Sequence, residues 1–180
     1  AFVFLFERNT YSSQTELLPI KVTTWDALGY YLYLPATFIY QDLRNLSFYD
    51  SIEKKYNLQG EGHNFYQFQK SETGFFSGKY FIGVAVLQMP FFLMAHGLAQ
   101  WHGEADGFSS IYQKGIAYGA IVWVFILLIF LRRFLLSYFK DQVVALGLVL
   151  GLLATNAVQY IAVEGGQSHA WIFPLYVYLM

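Results

Sequence analysis

The chain contains no cysteine, which excludes disulfides and thiolate metal sites. Charged residues make up only 13% of it, and its formal net charge of −1 comes without a basic tract, so the sequence predicts no nucleic-acid partner. The amino end shows no basic region and cleavage site of the kind that marks a signal peptide. The chain is instead rich in apolar residues, since 56% are hydrophobic and 21% are aromatic.

An uncharged run at residues 115–131 is the strongest single feature of the sequence. It extends over about 17 residues, near the lower limit for a helix that spans a bilayer. Arg132, Arg133 and Lys140 follow it, and the positive-inside rule predicts that this end is cytoplasmic. A buried helix of a large soluble protein is the alternative, but the composition favours an integral membrane protein.

Three further apolar segments accompany this run. Residues 143–163 predict a second span, and residues 172–180 begin another helix. Residues 80–101 are long enough to span but contain Gln88, Pro90 and His96, which suit a helix in the interface or one packed against protein. The sequence leaves these alternatives open. Residues 102–110 and 164–171 are short polar connections, which we expect on the same face of the membrane.

The first half of the chain is more polar. Residues 1–6 are interpreted as a truncated first transmembrane helix. The tyrosine-rich residues 25–43 predict a helix along the membrane surface, interrupted near Pro35. Residues 41–79 form a polar outer loop, in which residues 66–69 and 75–76 suggest a small β-hairpin. We therefore predict an all-α polytopic membrane protein with juxtamembrane helices, a single domain over residues 1–180 that is cut at both ends.

The order of these segments resembles the amino-terminal part of membrane glycosyltransferases of the C superfamily, such as the lipid A aminoarabinose transferases and the protein O-mannosyltransferases. The similarity rests on WDALGYYLYLPA, in which Asp26 opens a tyrosine-rich segment, and on GKYFIGVAVLQMPFFLMAH, in which Lys79 precedes an apolar one. Lys79 is followed here by Tyr80, where the family usually has proline.

The resemblance implies an enzyme that moves a sugar from a polyprenyl-phosphate donor to a lipid, glycan or protein acceptor. It places residues 80–101 in the interface and Asp26 in the periplasm of a bacterium, at the inner membrane. Asp26 would be the general base or would help to hold a divalent metal, and Lys79 would contact the lipid phosphate. A fragment of such an enzyme is expected to be inactive alone.

Each of these residues also has a plainer interpretation. Asp26 suits an exposed helix N-cap, and Lys79 suits a lysine that anchors the chain at the membrane interface. We expect His169, Glu164 and Tyr30 to contact the substrate, although His169 also suits an interfacial histidine beside Trp171.

Two polar clusters complete the candidates. The residues His96, His102, Glu104 and Asp106 offer a weak metal site, in which the last three lie on a turn and Asp106 would otherwise cap the next helix. Thr155, Asn156 and Gln159 are expected to make hydrogen bonds between helices, with a lipid or sugar contact as the alternative.

The other functions that the sequence allows are a transporter and a non-catalytic membrane scaffold. Transporters place ionisable groups or broken helices near the membrane midplane. Residues 115–131 and 143–163 contain no ionisable group except Tyr118 and Tyr160, and the charged candidates cluster towards one surface. This distribution favours chemistry at an interface over passage through the membrane.

Overall fold

A computed structural model of the chain describes residues 20–59 and 65–179. It is mostly helical, at 63%, and it includes one small β-hairpin. The predicted first helix at residues 1–6 lies outside the described residues. The helices are α1 (Asp26–Tyr31), α2 (Tyr33–Phe38), α3 (Tyr49–Tyr56), α4 (Gly83–His102), α5 (Ser110–Leu135), α6 (Asp141–Leu153) and α7 (Ser168–Tyr178); the strands are β1 (Phe68–Lys70) and β2 (Phe76–Gly78).

The break between α1 and α2 falls at Leu32 and follows from Pro35. Proline has no amide hydrogen to donate, and its ring crowds the carbonyl four residues earlier, which is that of Tyr31. Helical hydrogen bonds continue around this position, because the Leu32 amide donates to Leu28 and the Ala36 amide donates to Leu32. The interruption predicted near Pro35 is confirmed.

The polar section between α2 and α4 folds over α1 as a flap of α3 and the hairpin. β1 and β2 pair antiparallel, with Phe68 opposite Gly78 and Lys70 opposite Phe76, which confirms the predicted hairpin. The sequence interpretation did not foresee α3. Asp50 in its first turn and Lys54 and Lys55 in its last turn complement the helix dipole.

Helices α4 and α5 form an antiparallel pair because glycines on α5 allow close approach. A Cβ added at Gly115 would lie 2.7 Å from the Cβ of Ala95, and one at Gly119 would lie 2.5 Å from Cγ of Phe91. The His96 ring and the Tyr112 hydroxyl hydrogen-bond across the pair at 2.6 Å. Within the described residues, α4 and α5 are the two helices long and apolar enough to cross a membrane.

The predicted span at residues 143–163 does not form one continuous helix, because α6 ends at Leu153; whether this segment crosses a membrane stays a prediction. A π-helical segment, Gln159–Val163, follows after the break. The Thr155 hydroxyl donates to the Gly151 carbonyl at 2.6 Å and accepts from the Ala157 amide at 3.2 Å. Such local bonds compete with the helix backbone. Thr155 and Gln159 therefore make local contacts, Gln159 with Glu164, and neither makes a hydrogen bond to another helix in the part of the chain that the structure describes.

The connections at one end of α5 pack together around Gln113. Its fully buried amide accepts from the Val22 and Thr23 amides at 3.0 and 3.1 Å and donates to Thr23 Oγ1 and the Phe108 carbonyl. A Cβ on Gly166 would lie 1.8 Å from the Val22 carbonyl oxygen and 3.0 Å from the Cβ of Ala27. The turn before α5, the turn before α7 and the start of α1 therefore share one end of the helix bundle.

Candidate active site

Asp26 is the first residue of α1, and its carboxylate faces the flap rather than the backbone of its own helix. Trp25 is the N-cap residue, and no side chain caps this helix end. Asp26 Oδ1 accepts hydrogen bonds from the hydroxyls of Tyr66, at 2.6 Å, and of Tyr80. Within the described residues no hydrogen bond reaches Oδ2. The N-cap interpretation of Asp26 is therefore wrong, and both tyrosine hydroxyls bond to the same carboxylate oxygen.

Lys79 brings a positive charge to the same place. Its Nζ atom lies 5.4 Å from the ring centroids of both Tyr66 and Tyr80, a distance at which a cation is attracted to an aromatic face. The side chain is exposed, and in the part of the chain that the structure describes it makes no ion pair with a carboxylate. The cation and Asp26 thus lie close to each other without neutralising each other directly.

The electrostatics keep Asp26 ionised. Burial raises the pKa of this carboxyl group, but the hydrogen bonds from Tyr66 and Tyr80 and the nearby charge of Lys79 outweigh that effect, so the pKa lies below its usual value. Burial and the neighbouring carboxylate raise the pKa of Tyr66 to about 12. At neutral pH the site therefore holds an anionic carboxylate with two protonated tyrosines as donors.

Tyr30 forms one wall of the site. Its ring centroid lies 4.7 Å from that of Tyr80, with the planes tilted by 58°. Gly29 leaves room for this packing, because a Cβ there would lie 2.2 Å from Cδ2 of Tyr80. The structure thus brings together three of the predicted site residues, Asp26, Lys79 and Tyr30.

A buried pair of glutamines, Gln59 and Gln67, holds the backbone next to the site. The sequence interpretation missed this pair. Gln59 and Gln67 exchange amide hydrogen bonds at 2.6 and 3.1 Å, and Gln67 Nε2 also donates to the Trp25 carbonyl at 2.9 Å. The Lys79 amide donates to the Gln67 carbonyl at 2.8 Å. Trp25 has a φ of 53°. A residue other than glycine adopts this conformation at a cost in free energy, and it keeps the conformation only where the surrounding structure holds it. The pair therefore fixes the backbone on both sides of the site.

His169 and Glu164 lie near this end of the bundle but outside the cluster. Among the described residues, no hydrogen bond, ion pair or ring contact joins either of them to Asp26 or Lys79. The His169 ring packs against Tyr160 at 4.3 Å, and Glu164 accepts from Gln159 at 3.2 Å. Their predicted contact with a substrate stays a prediction.

Asp106, a weak metal candidate, connects the flap to the turn before α5. Its Oδ2 accepts from Lys55 at 2.8 Å and from the Tyr56 hydroxyl, and its Oδ1 accepts from the Phe108 and Ser109 amides at 2.9 Å. Burial raises its pKa, but the hydrogen bonds from Lys55, Tyr56 and the two amides outweigh that effect, so the pKa of Asp106 lies below its usual value. The carboxylate thus pairs with the Lys55 ammonium and accepts hydrogen bonds from the amides of the turn. The N-cap residue of α5 is Ser109.

The other metal candidates do not join Asp106. His102 is exposed beside Trp101, with the rings 6.4 Å apart, and Glu104 is exposed. In residues 20–59 and 65–179 no group of three or more histidine and acidic side chains has an arrangement that could hold a metal ion. A divalent metal at His102, Glu104 and Asp106 stays a prediction.

The Asp26 cluster consists of Asp26, Lys79, Tyr30, Tyr66 and Tyr80. Its side chains are suited to bind a polar ligand that carries a negative charge. The carboxylate accepts a hydrogen bond from a ligand hydroxyl, and Lys79 attracts a negative charge such as a phosphate. Tyr30, Tyr66 and Tyr80 offer flat surfaces beside both charges. Comparisons with protein families, with curated proteins and with solved structures find no match for this chain.

Proposed function

We propose that the chain is a polytopic membrane protein of the bacterial inner membrane, with the Asp26 cluster at the periplasmic surface. The lengths and apolar character of α4 and α5 support this placement. So do the large apolar side chains that α4, α5, α6 and α7 expose; Met94, Phe125, Leu146 and Tyr176 are each at least 60% exposed. An exposed apolar surface of this extent is unusual on a monomer in water but is stable against lipid.

The proposed activity is transfer of a sugar from a polyprenyl-phosphate donor to a hydroxyl of a lipid, glycan or protein acceptor. Such a transfer needs a base for the acceptor hydroxyl and positive charge for the departing phosphate. Asp26 is the proposed base, through its Oδ2 atom, which accepts no hydrogen bond from the described residues, and Lys79 is the proposed phosphate ligand. The observation that carries the proposal is that both charges contact the same two tyrosines. Asp26 accepts hydrogen bonds from the hydroxyls of Tyr66 and Tyr80, and Lys79 lies near the rings of both.

The lowered pKa of Asp26 fits the first of these roles in one respect. A base must be deprotonated before it can accept the hydroxyl proton, and Asp26 is ionised at neutral pH. Its basicity rises once Tyr66 or Tyr80 turns its hydroxyl to the substrate, because each of these bonds lowers the pKa. The tyrosines thus keep the carboxylate charged in the absence of substrate and are free to exchange partners in its presence.

A transporter is the second candidate, and the break after α6 favours it. Broken helices in membranes mark the substrate sites of many transporters, where unwound backbone lines a cavity. The break at residues 154–156 is followed by a π-helical segment and lines the same groove as His169. A transporter predicts that substitutions at the break abolish substrate movement, while Asp26 is dispensable. A non-catalytic scaffold predicts that neither site matters.

The test uses membranes of cells that make the protein at its native length, together with a radiolabelled polyprenyl-phosphate sugar. Asp26→Asn should lower the transfer rate by roughly 10²–10⁴-fold, the usual contribution of a general base. Asp50→Asn is the matched control, because Asp50 is an exposed acid in the first turn of α3, and it should leave the rate unchanged. Lys79→Ala should lower kcat/KM for the donor, because the charge that supports the departing phosphate is lost. Equal rates for the two aspartate variants would refute the proposal.

A further inference from the structure

A groove of about 880 Å³ runs between α5, α6 and α7, and the Asp26 cluster has no residue in it. This volume lies in the range of roughly 300–1,000 Å³ typical of small-molecule sites. Aliphatic side chains of the three helices line its body, with Val124 and Leu128 on α5 and Leu148 and Leu152 on α6. Its interior is therefore suited to a long apolar chain.

The hydrogen-bonding groups of the groove, apart from Tyr176, lie at one end. They belong to the end of α6, the π-helical segment and the start of α7, and they are Thr155, Asn156, Tyr160, Ser168 and His169. The helix is broken here, and helical bonding returns where the Tyr160 amide donates to the Asn156 carbonyl. Irregular backbone at membrane depth is stable where it faces protein or a cavity with polar contents. This end of the groove is thus suited to a polar head group.

Among residues 20–59 and 65–179, those that line the groove include no aspartate, glutamate, lysine or arginine. A charged head group would lose its hydration here without meeting an opposite charge, which is costly. A head group with hydroxyls can exchange hydrogen bonds with Asn156, Tyr160 and His169 at no such cost. The chemistry of the lining therefore selects an uncharged amphiphile.

We propose that this groove binds one uncharged, long-chain lipid, such as a long-chain alcohol or a monoacylglycerol, with its head group at the break after α6. The proposal goes beyond sugar transfer, because it needs the membrane placement of the bundle and does not need the Asp26 cluster. It assigns the broken helix to ligand binding rather than to passage across the membrane.

The experiment is photolabelling of the purified chain in detergent with hexadecanol that carries a terminal diazirine, followed by identification of the labelled peptides. Gly151→Leu should lower labelling of α5, α6 and α7 several-fold, because residue 151 lines the groove and a Cβ there meets no atom within 4 Å. Gly97→Leu is the matched control, since Gly97 on α4 has equally open surroundings outside the groove. It should leave the labelling unchanged.

Three results would overturn the proposal. The first is equal labelling of the two glycine variants, and the second is stronger labelling of the groove by hexadecyl phosphate with the same diazirine. The third is a groove that takes no label and is crosslinked instead to a second copy of the chain. Asp26→Asn should keep full labelling, so that loss of transfer and loss of lipid binding are separate outcomes.

Discussion

Gly29→Ala tests whether the absence of a side chain in α1 is what allows Tyr80 to reach Asp26. Gly29 is buried, and a Cβ at this position would lie 2.2 Å from Cδ2 and 2.7 Å from Cε2 of Tyr80. Carbon atoms do not approach this closely without bonding, so the Tyr80 ring must move. Because its hydroxyl donates to Asp26, the movement removes one of the two hydrogen bonds on the carboxylate.

The size of the effect follows from two opposing contributions. Overpacking of a buried site costs about 1–3 kcal/mol, whereas alanine in a helix interior is favoured over glycine by roughly 0.5–1 kcal/mol. The lost hydrogen bond adds little, since Asp26 is partly exposed and water can replace the hydroxyl. We expect Gly29→Ala to destabilise the chain by about 0.5–2 kcal/mol. Gly97→Ala has no clash and should be stabilising.

The assay combines thermal unfolding in detergent with a carbon-13 titration of the Asp26 carboxyl group. Gly29→Ala should unfold at a lower temperature than Gly97→Ala, and the pKa of Asp26 should rise, because the Tyr80 hydrogen bond lowers it in the parent chain. Unfolding of both variants at the same temperature, with the pKa of Asp26 unchanged, would refute the described contact between the Tyr80 ring and α1.

Two further predictions concern the contacts that hold the rest of the bundle. Gln113→Leu leaves up to four buried hydrogen bonds unmade. At about 1–3 kcal/mol for each unsatisfied group, the free energy of unfolding should fall by roughly 3 kcal/mol or more in chemical unfolding. Gln142→Leu, at an exposed position, is the control and should be neutral. Because the pKa of Asp106 is lowered in the folded chain, its stabilisation of the flap is complete above the unfolded-state value of about 4 and is lost as the pH falls below it. The protection of the α3 amides against hydrogen exchange, corrected for the intrinsic exchange rate at each pH, should fall in acid. Asp106→Asn should remove this pH dependence while Lys55 keeps its charge.

Helix α5 and the break between α1 and α2 were predictable because their signals in the sequence are local. A long uncharged run followed by arginines predicts α5, and the position of Pro35 predicts the break between α1 and α2. The end of α6 was not predictable from hydropathy, because residues 143–163 contain no charge. At the break the Thr155 hydroxyl bonds to the Gly151 carbonyl, a contact that hydropathy does not report.

The site was predictable only in its charged members. Asp26 and Lys79 stand out as ionisable groups beside apolar segments, but 52 positions separate them in the numbering, and the partner of each depends on how the flap folds. Gln59 and Gln67 carry no signal in the sequence, because nothing distinguishes them from other glutamines before the hairpin forms. Their role depends on contacts between α3, β1 and the start of α1.

In the proposed membrane placement, Asp26, Lys79 and the turn before α7 lie at one face of the membrane, opposite the basic turn after α5. The absence of native cysteine allows a direct measurement, in which Lys79→Cys, His169→Cys and Arg133→Cys are treated with a membrane-impermeant maleimide. All three positions are exposed. In intact cells this placement predicts labelling at positions 79 and 169, and at position 133 it predicts labelling only after permeabilisation. Labelling of positions 79 and 169 from opposite sides of the membrane would contradict it.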